Sequence, residues 1–375
     1  MRFQNDIGST PVPANQTESS CHFSSLATDL ASDEVFDLLS AFASDPDPNK
    51  VNLGAGVYRT NEGKPWPLPV VQRVEQAQYE AQDATRHEYL PIEGDVKFTE
   101  LAADLIFKVE NEQERSRIAS IQTISGTGAN HIGAMFLARS LKPKHVWISD
   151  PTWINHHSIW ELAEIERRLY PYYNDSDRTF AFEAMIKTLE NNAEPNDVVI
   201  LHACAHNPTG IDPSKAQWAA IADVCRRKQL FPFFDCAYQG FASGDLDQDA
   251  WAIRYFFRAE PAFEMCVAQS FSKSLGLYGQ RTGAFHLVCR EGSVQTRDTV
   301  VAHLAHLVRS EFSMAPKFGA SIARAVLESP QLMQEWMVDL RTMSDRIKIC
   351  RQQLYEQLLA LNTPGTWRHI VDQVN

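Results

Sequence analysis

Seven cysteines in 375 residues form no CxxC pair and no regular spacing: they stand at 21, 204, 225, 236, 266, 289 and 350. That pattern excludes a zinc ribbon or a disulfide framework and reads as reduced, mostly buried thiols in a reducing compartment. No apolar run approaches the ~20 residues that span a bilayer, so a membrane partner is not expected. Positive charge is also short, 35 Lys and Arg against 47 Asp and Glu, a net charge of −12. The balance argues against nucleic acid as the main partner and leaves small anionic substrates open, because they answer to local potential. Residues 1–25 hold one basic residue, Arg2, against Asp6 and Glu18, and no apolar core. They lack the marks of a secretory signal or a mitochondrial presequence and read as a flexible arm on a cytoplasmic chain. What remains, 44% hydrophobic and 22% charged, is the composition of a soluble globular protein.

Short β-type runs alternate with amphipathic stretches from Arg117 onward. Val146–Ile148, Val198–Leu201, Phe231–Phe234 and Cys266–Ala268 are strand candidates. Trp218, Ile221, Ala222 and Cys225 fall on one helical face, with Asp212 expected as N-cap and Pro213 in the first turn. The alternation predicts an α/β domain with a largely parallel sheet. A second stripe, Met333, Met337, Leu340, Ile347, Cys350, Leu354, Leu358 and Leu361, predicts one long helix from Ser329 to Leu361, ended by Thr363-Pro364-Gly365.

The chemistry concentrates around Lys273, in Ser270-Phe271-Ser272-Lys273-Ser274, with Arg281 eight positions on. A lysine framed by hydroxyls and followed by a guanidinium suits Schiff-base formation with an aldehyde cofactor whose phosphate the hydroxyls and arginine hold. Asp235, at the end of an apolar run, can pair with a protonated pyridine nitrogen, and Tyr238 can reach the ring hydroxyl. Together they read as a pyridoxal-phosphate site. Ser125-Gly126-Thr127-Gly128 joins a strand to a helix-like run; alone it is as readily a plain turn, and with Lys273 it becomes a phosphate cup. It is neither a dinucleotide fingerprint nor a Walker loop. In His202-Ala203-Cys204-Ala205-His206 a zinc site is disfavoured, since alternation along a strand sends neighbouring ligands to opposite faces. The following Asn207-Pro208-Thr209-Gly210 reads instead as a turn at a strand's C-terminal end, its Asn207 amide facing a ligand. Trp153 can stack on a flat ring or plug the core beneath its loop. Arg309 reads, on general grounds, as a solvated surface charge.

Six ordered segments carry a resemblance: Asn52–Thr60, His87–Ile92, Ser125–Gly128, His206–Gly210, Asp235–Phe241 and Ser270–Lys273. Over 36–375 the chain resembles the aspartate aminotransferases, pyridoxal-phosphate enzymes of fold type I. The resemblance implies a large domain (66–342) with a mixed, mostly parallel sheet flanked by helices. A small α+β domain, read here as incomplete, would take 33–65 and 343–375, after an arm at 1–32. It implies a homodimer with shared sites and reversible amino transfer between L-aspartate and 2-oxoglutarate. Lys273 would bond the cofactor's aldehyde carbon and Asp235 its ring nitrogen, supported by His156. Tyr238 and Asn207 would bind the ring oxygen, with Trp153 on the ring face. Ser125, Gly126, Thr127, Ser270 and Arg281 would hold the phosphate, joined by the partner subunit's Tyr89. Trp153, Asn207 and Gly56 would also meet the substrate, and the partner subunit's Arg309 its distal carboxylate.

The sequence departs from the family pattern in places. Ser313-Met314-Ala315-Pro316 replaces a serine-asparagine-proline-proline run near the substrate, which keeps an aromatic amino acid or kynurenine open as donor. Family members continue for several dozen residues beyond the segment matching Gly365–Ile370, with an arginine for the α-carboxylate. The expectation on sequence is therefore a weakly active or inactive homologue for the chain as written.

Overall fold

The computed structural model describes residues 34–52, 56–259, 262–290 and 294–374; the arm expected at 1–32 and residues Leu53–Ala55 of the first shared segment lie outside them. Contacts divide the chain into two units, residues 1–56 and 57–375. In the described part of the first, an amphipathic helix runs over Glu34–Ser44. The lysine ammonium of Lys50 folds back on it, donating to Phe42 O and Asp45 O.

The second unit is built on a seven-stranded sheet. Its strands are β1 (Ile118–Ile124), β2 (His145–Asp150), β3 (Glu166–Pro171), β4 (Val198–His202), β5 (Phe231–Cys236), β6 (Met265–Ser270) and β7 (Thr282–Val288). Their spatial order is β1-β7-β6-β5-β4-β2-β3. The pairs β2–β3, β2–β4, β4–β5 and β5–β6 are parallel, while β7 runs antiparallel to both β1 and β6. Residues of β4, β6 and β7 are buried throughout, as expected of strands covered on both faces. Adjacent side chains serve opposite layers: Phe233 packs with Ile132 and Phe285, Phe234 with Trp218 and Phe256. Burying each such ring contributes about 1.5–3 kcal/mol, so the two phenylalanines pin both helical layers to one strand.

All of the strand candidates are strands. The helix expected after Asp212 spans Lys215–Lys228 and starts differently. Ser214 is its N-cap, in a capping box with Gln217. Asp212 instead accepts the Ala205 and His206 N–H groups, closing the turn that carries Asn207. Two eligible caps stand two positions apart, and the one with a glutamine three positions later caps the helix.

The long helix is present over Pro330–Ala360, with Ser329 as N-cap. Its buried line differs from the expected stripe: Trp336, Asp339, Leu340, Met343 and Ser344 face inward, while Met337, Cys350, Leu354 and Leu361 are exposed. Trp336 donates its indole N–H to Ser274 O at 2.7 Å, and Asp339 accepts the Val70 N–H at 3.1 Å. The inner part of the helix is thereby tied to the segment of Lys273. Among the described residues no helix is long and apolar enough to cross a membrane.

Candidate active site

The parallel strands deliver their C-terminal ends to one edge of the sheet, where open α/β sheets bind ligands. His202 ends β4, Asp235 lies one residue from the end of β5 in register with His202 and Ala268, and Ser270 ends β6. Lys273 follows in the connection from β6 to β7.

Asp235 is buried, and its Oδ2 accepts a hydrogen bond from His156 Nε2 at 3.0 Å. The other ring nitrogen of His156 meets Thr152 Oγ1 at 2.9 Å. Burial alone would push the Asp235 carboxyl up; the His156 hydrogen bond and nearby positive charge, Lys273 included, outweigh it and hold the group below the usual carboxylate range. Among the described residues no donor is bonded to Asp235 Oδ1. Behind His156 stand two more imidazoles. His202 lies edge-on to it at 5.1 Å, and His206 stacks on His202 at 4.1 Å and on Tyr172 at 3.7 Å. Burial holds His202 down at about 3 and His206 lower still. The two histidines weighed as metal ligands thus share one side. Strand alternation stops at His202, and the chain reverses through Ala205 at φ +47°.

Lys273 Nζ sits 5.0 Å from the centre of the Tyr238 ring. Burial lowers the ammonium's pKa; Asp235 opposes the shift and Arg281 adds to it. Tyr238 is pushed up to about 12 by burial and by Asp235, so its hydroxyl is a proton donor.

The hydroxyls and the guanidinium expected to hold the phosphate lie together. Ser125 Oγ lies 3.2 Å from Ser270 Oγ and 2.6 Å from Ser272 Oγ, and Arg281 Nη1 donates to Ser272 Oγ at 3.4 Å and Tyr278 O at 2.8 Å. Ser125 holds φ +59°, uncommon without glycine, and begins the Ser125–Ser140 helix directly after β1. No side chain caps that helix, which leaves its first N–H groups for an anion. At Gly126 a Cβ would meet Ser270 Cβ at 3.0 Å, a tight approach that Ser270 would have to relieve by a few tenths of an ångström. Thr127 lies in the first turn, half-buried.

Trp153 is half-buried, its ring edge-on to His156 at 5.3 Å, and it also packs against the hydrophobic layer that contains Ile132 and Phe233. Asn207 is joined to Pro208 by a cis peptide, and its own N–H is donated to His202 Nδ1 at 3.1 Å. Two residues stand apart: Tyr89 is 87% exposed, and Arg309 is exposed and bonded to Ser313 Oγ. Gly56 is exposed and belongs to the first unit. Sequence reasoning missed Thr152 and Tyr278, named Ser272 only among the hydroxyls framing Lys273, and weighed His202 only as a disfavoured metal ligand. Tyr278, whose hydroxyl accepts the Tyr58 N–H at 3.0 Å, links the lysine segment to the first strand-like turn of the second unit. Ser272 had a signal, its place one residue before Lys273. For Thr152 and His202 the signal was only their nearness to strand ends.

The profile of the family described as aminotransferase class I and II matches residues 48–375. The chain belongs to that family. An L-tyrosine:2-oxoglutarate aminotransferase of Aspergillus ustus is 51% identical over 348 residues, which cover 91% of this chain and 66% of that protein. The structure of aspartate aminotransferase from Saccharomyces cerevisiae cytoplasm superposes with TM-score 0.90 at 38% identity, covering 94% of this chain and 86% of that one. An aromatic-amino-acid aminotransferase from Burkholderia pseudomallei, covalently bound to pyridoxal phosphate, gives TM-score 0.89 at 36% identity over 95% and 87%. The fold is therefore that of the fold-type-I aminotransferases, and their cofactor is pyridoxal phosphate.

The residues present fit that group. Lys273 Nζ, Tyr238 Oη, the Asn207 side-chain amide and Asp235 Oδ1 have no hydrogen-bond partner among the described residues, yet they lie at one strand edge beside the close Gly126–Ser270 approach.

Proposed function

We propose that the chain catalyses reversible amino transfer between an L-amino acid and 2-oxoglutarate, with L-aspartate as the donor. The observation that carries this reading is the set of four unpaired polar groups, Lys273 Nζ and the three around it, backed by the His156–Asp235 bond at 3.0 Å. Pyridoxal phosphate, when bound, supplies an aldehyde for the amino group and a ring that accepts the electron pair released at the substrate's α-carbon. The chain supplies the rest. Asp235 keeps the ring nitrogen protonated, and His156 holds that carboxylate in place. Lys273, its pKa lowered by burial, is more often an uncharged amine than an exposed lysine and can carry a proton to and from the α-carbon. Tyr238 and Asn207 bind the ring oxygen, and Trp153 covers one ring face. Ser125, Gly126, Thr127, Ser270 and Arg281 take the phosphate.

In the same reading two copies of the chain form a homodimer with shared sites. The partner subunit's Tyr89 joins the phosphate, and the partner subunit's Arg309 pairs with the distal carboxylate; Gly56 lies against the substrate. The domain limits at 32, 65 and 342 and a cytoplasmic location, as in the Saccharomyces cerevisiae relative, belong to it too.

A second donor, L-tyrosine, is favoured by the Aspergillus ustus relative at 51% identity. The experiment is a half-reaction: purified protein loaded with pyridoxal phosphate is mixed with L-aspartate or L-tyrosine, and the cofactor's absorbance is followed. Faster conversion by aspartate supports the first reading; faster conversion by tyrosine replaces it with the second. No conversion by either would remove both.

A further inference from the structure

The turn that carries Tyr238 is held by a file of buried amides and one imidazole that reaches back across the sheet. Gln239 is 5% exposed, and its side-chain NH2 donates to Leu105 O and Leu246 O, each at 3.2 Å. Its Oε1 accepts from Gln269 Nε2 at 3.5 Å. Gln269 Oε1 lies 2.9 Å from His286 Nε2, and His286 Nδ1 lies 2.8 Å from Ser120 Oγ. The register explains the file: Ser120 of β1 faces His286 of β7, which faces Val267 of β6, two residues before Gln269 on the same side.

The proton positions follow. Burial holds His286 down at about 3, so at neutral pH the ring carries one N–H. Gln269 Oε1 can only accept, hence that proton is on Nε2 and Nδ1 accepts from Ser120. Every bond then runs one way, Ser120 to His286 to Gln269 to Gln239 to the two carbonyls. Turning any one amide over would set two like groups face to face, so the file has one arrangement. Its last member adjoins Tyr238 in sequence, and Gln269 adjoins Ser270. Gly240, next in the turn, is fixed as well: it holds φ +78°, and its N–H is bound by Asp249 at 2.8 Å.

We propose that Gln239, backed by Gln269 and His286, is a positioning residue for amino transfer, setting the Tyr238 phenol against Lys273 and the Ser270 hydroxyl. The inference rests on the reading that the Lys273 site takes pyridoxal phosphate. A file that merely filled the core would also cost stability when broken, so the test reads the phenol itself.

Gln239→Met keeps the volume and removes the polar contacts. With wild type, Tyr238→Phe and the double variant, each loaded with pyridoxal phosphate, the absorbance of the bound cofactor is titrated against pH. The Tyr238 O–H stabilises the ionised ring oxygen, so Tyr238→Phe raises the midpoint. Gln239→Met raises it in the same sense by about 0.5 pH unit, and the double variant shows no more than Tyr238→Phe alone. If Gln239→Met does not fold, Gln269→Met, one bond farther off, is read in the same way. A lower Tm with a wild-type midpoint, or additive shifts in the double variant, would overturn the proposal alone. Failure of the wild type to take up the cofactor would overturn it together with the functional reading, and the wild-type spectrum tells the two cases apart.

Discussion

Lys273 and Arg309 are both cations assigned to one reaction, and their surroundings are opposite. Lys273 is held among buried groups at the strand edge, its charge disfavoured by burial and 5.0 Å from the Tyr238 ring. Arg309 is exposed at the last turn of the Val294–Glu311 helix, with Ser313 Oγ as its hydrogen-bond partner. The buried groups of the first region all lie in one chain. The second has its chemistry on the outside, as does Tyr89 at 87% exposure. If a second copy completes the site, as proposed, burial and mutual bonding pick out the groups a chain positions for itself, while the residues it lends to its partner look like ordinary surface.

The largest expected effect breaks the inner region. Lys273→Ala should abolish turnover, and borohydride reduction of the loaded wild-type protein followed by peptide mapping should put the pyridoxyl label on Lys273. A label on any other lysine refutes the assignment. Next comes the outer region. Losing one partner of a desolvated charge pair costs about 2–5 kcal/mol, so Arg309→Ala should lower kcat/KM for aspartate by roughly 30-fold or more. Alanine, which has no distal carboxylate, should be turned over about as before; equal losses for both substrates would make Arg309 structural. Mixing sharpens the comparison further. If the two regions come from different copies, a refolded mixture of Lys273→Ala and Arg309→Ala proteins should regain about a quarter of wild-type activity, since about half the dimers are hybrids with one intact site. No recovery would place both residues in the same copy's site.

A smaller effect concerns acid. Asp249, buried beneath the Tyr238 turn, accepts the Gly240 and Ser243 N–H groups, and burial raises it to about 6. Its native pKa lies above its unfolded one, so folding takes up a proton between about pH 4 and 6. Stability from this group is full below that window and lost as pH rises through it, about 3 kcal/mol in all. Thermal melts of Asp249→Asn against wild type should therefore show the variant gaining ground from pH 4.5 to 7; parallel curves would contradict this. Asp247, on the exposed side and paired with Arg254 and Lys108, is shifted down instead. Smallest of all, Ser313→Ala should leave stability within about 0.5 kcal/mol, as surface changes do, while lowering kcat/KM for aspartate less than Arg309→Ala. A large drop in Tm would show that the Arg309–Ser313 contact does more than orient a surface cation.

Much of the inner region was legible because its residues are unusual for their local pattern: a lysine between serines, an aspartate ending an apolar run, a serine-glycine pair between strand and helix. The strands were legible for a similar reason, as β-branched and aromatic runs have few other uses. Asp212 was misread because local rules offered it a cap, and only the fold shows that Ala205 and His206 claim it first. The long helix was found by its apolar period, yet its buried line follows Trp336, Leu340 and Met343, since the neighbours that choose the face are distant in sequence. The Gln239–Gln269–His286 file left no trace in the sequence at all. Its members are tens of residues apart and acquire meaning only through strand register.

The column of rings behind Asp235 has one more consequence. His202 and His206, held near or below pH 3, add no charge as surroundings pass from neutral to mildly acid. They form an electrically silent wall. An acidified cell would leave that side of the site as it was, and its response to acid would have to enter elsewhere, through the groups that meet solvent and substrate.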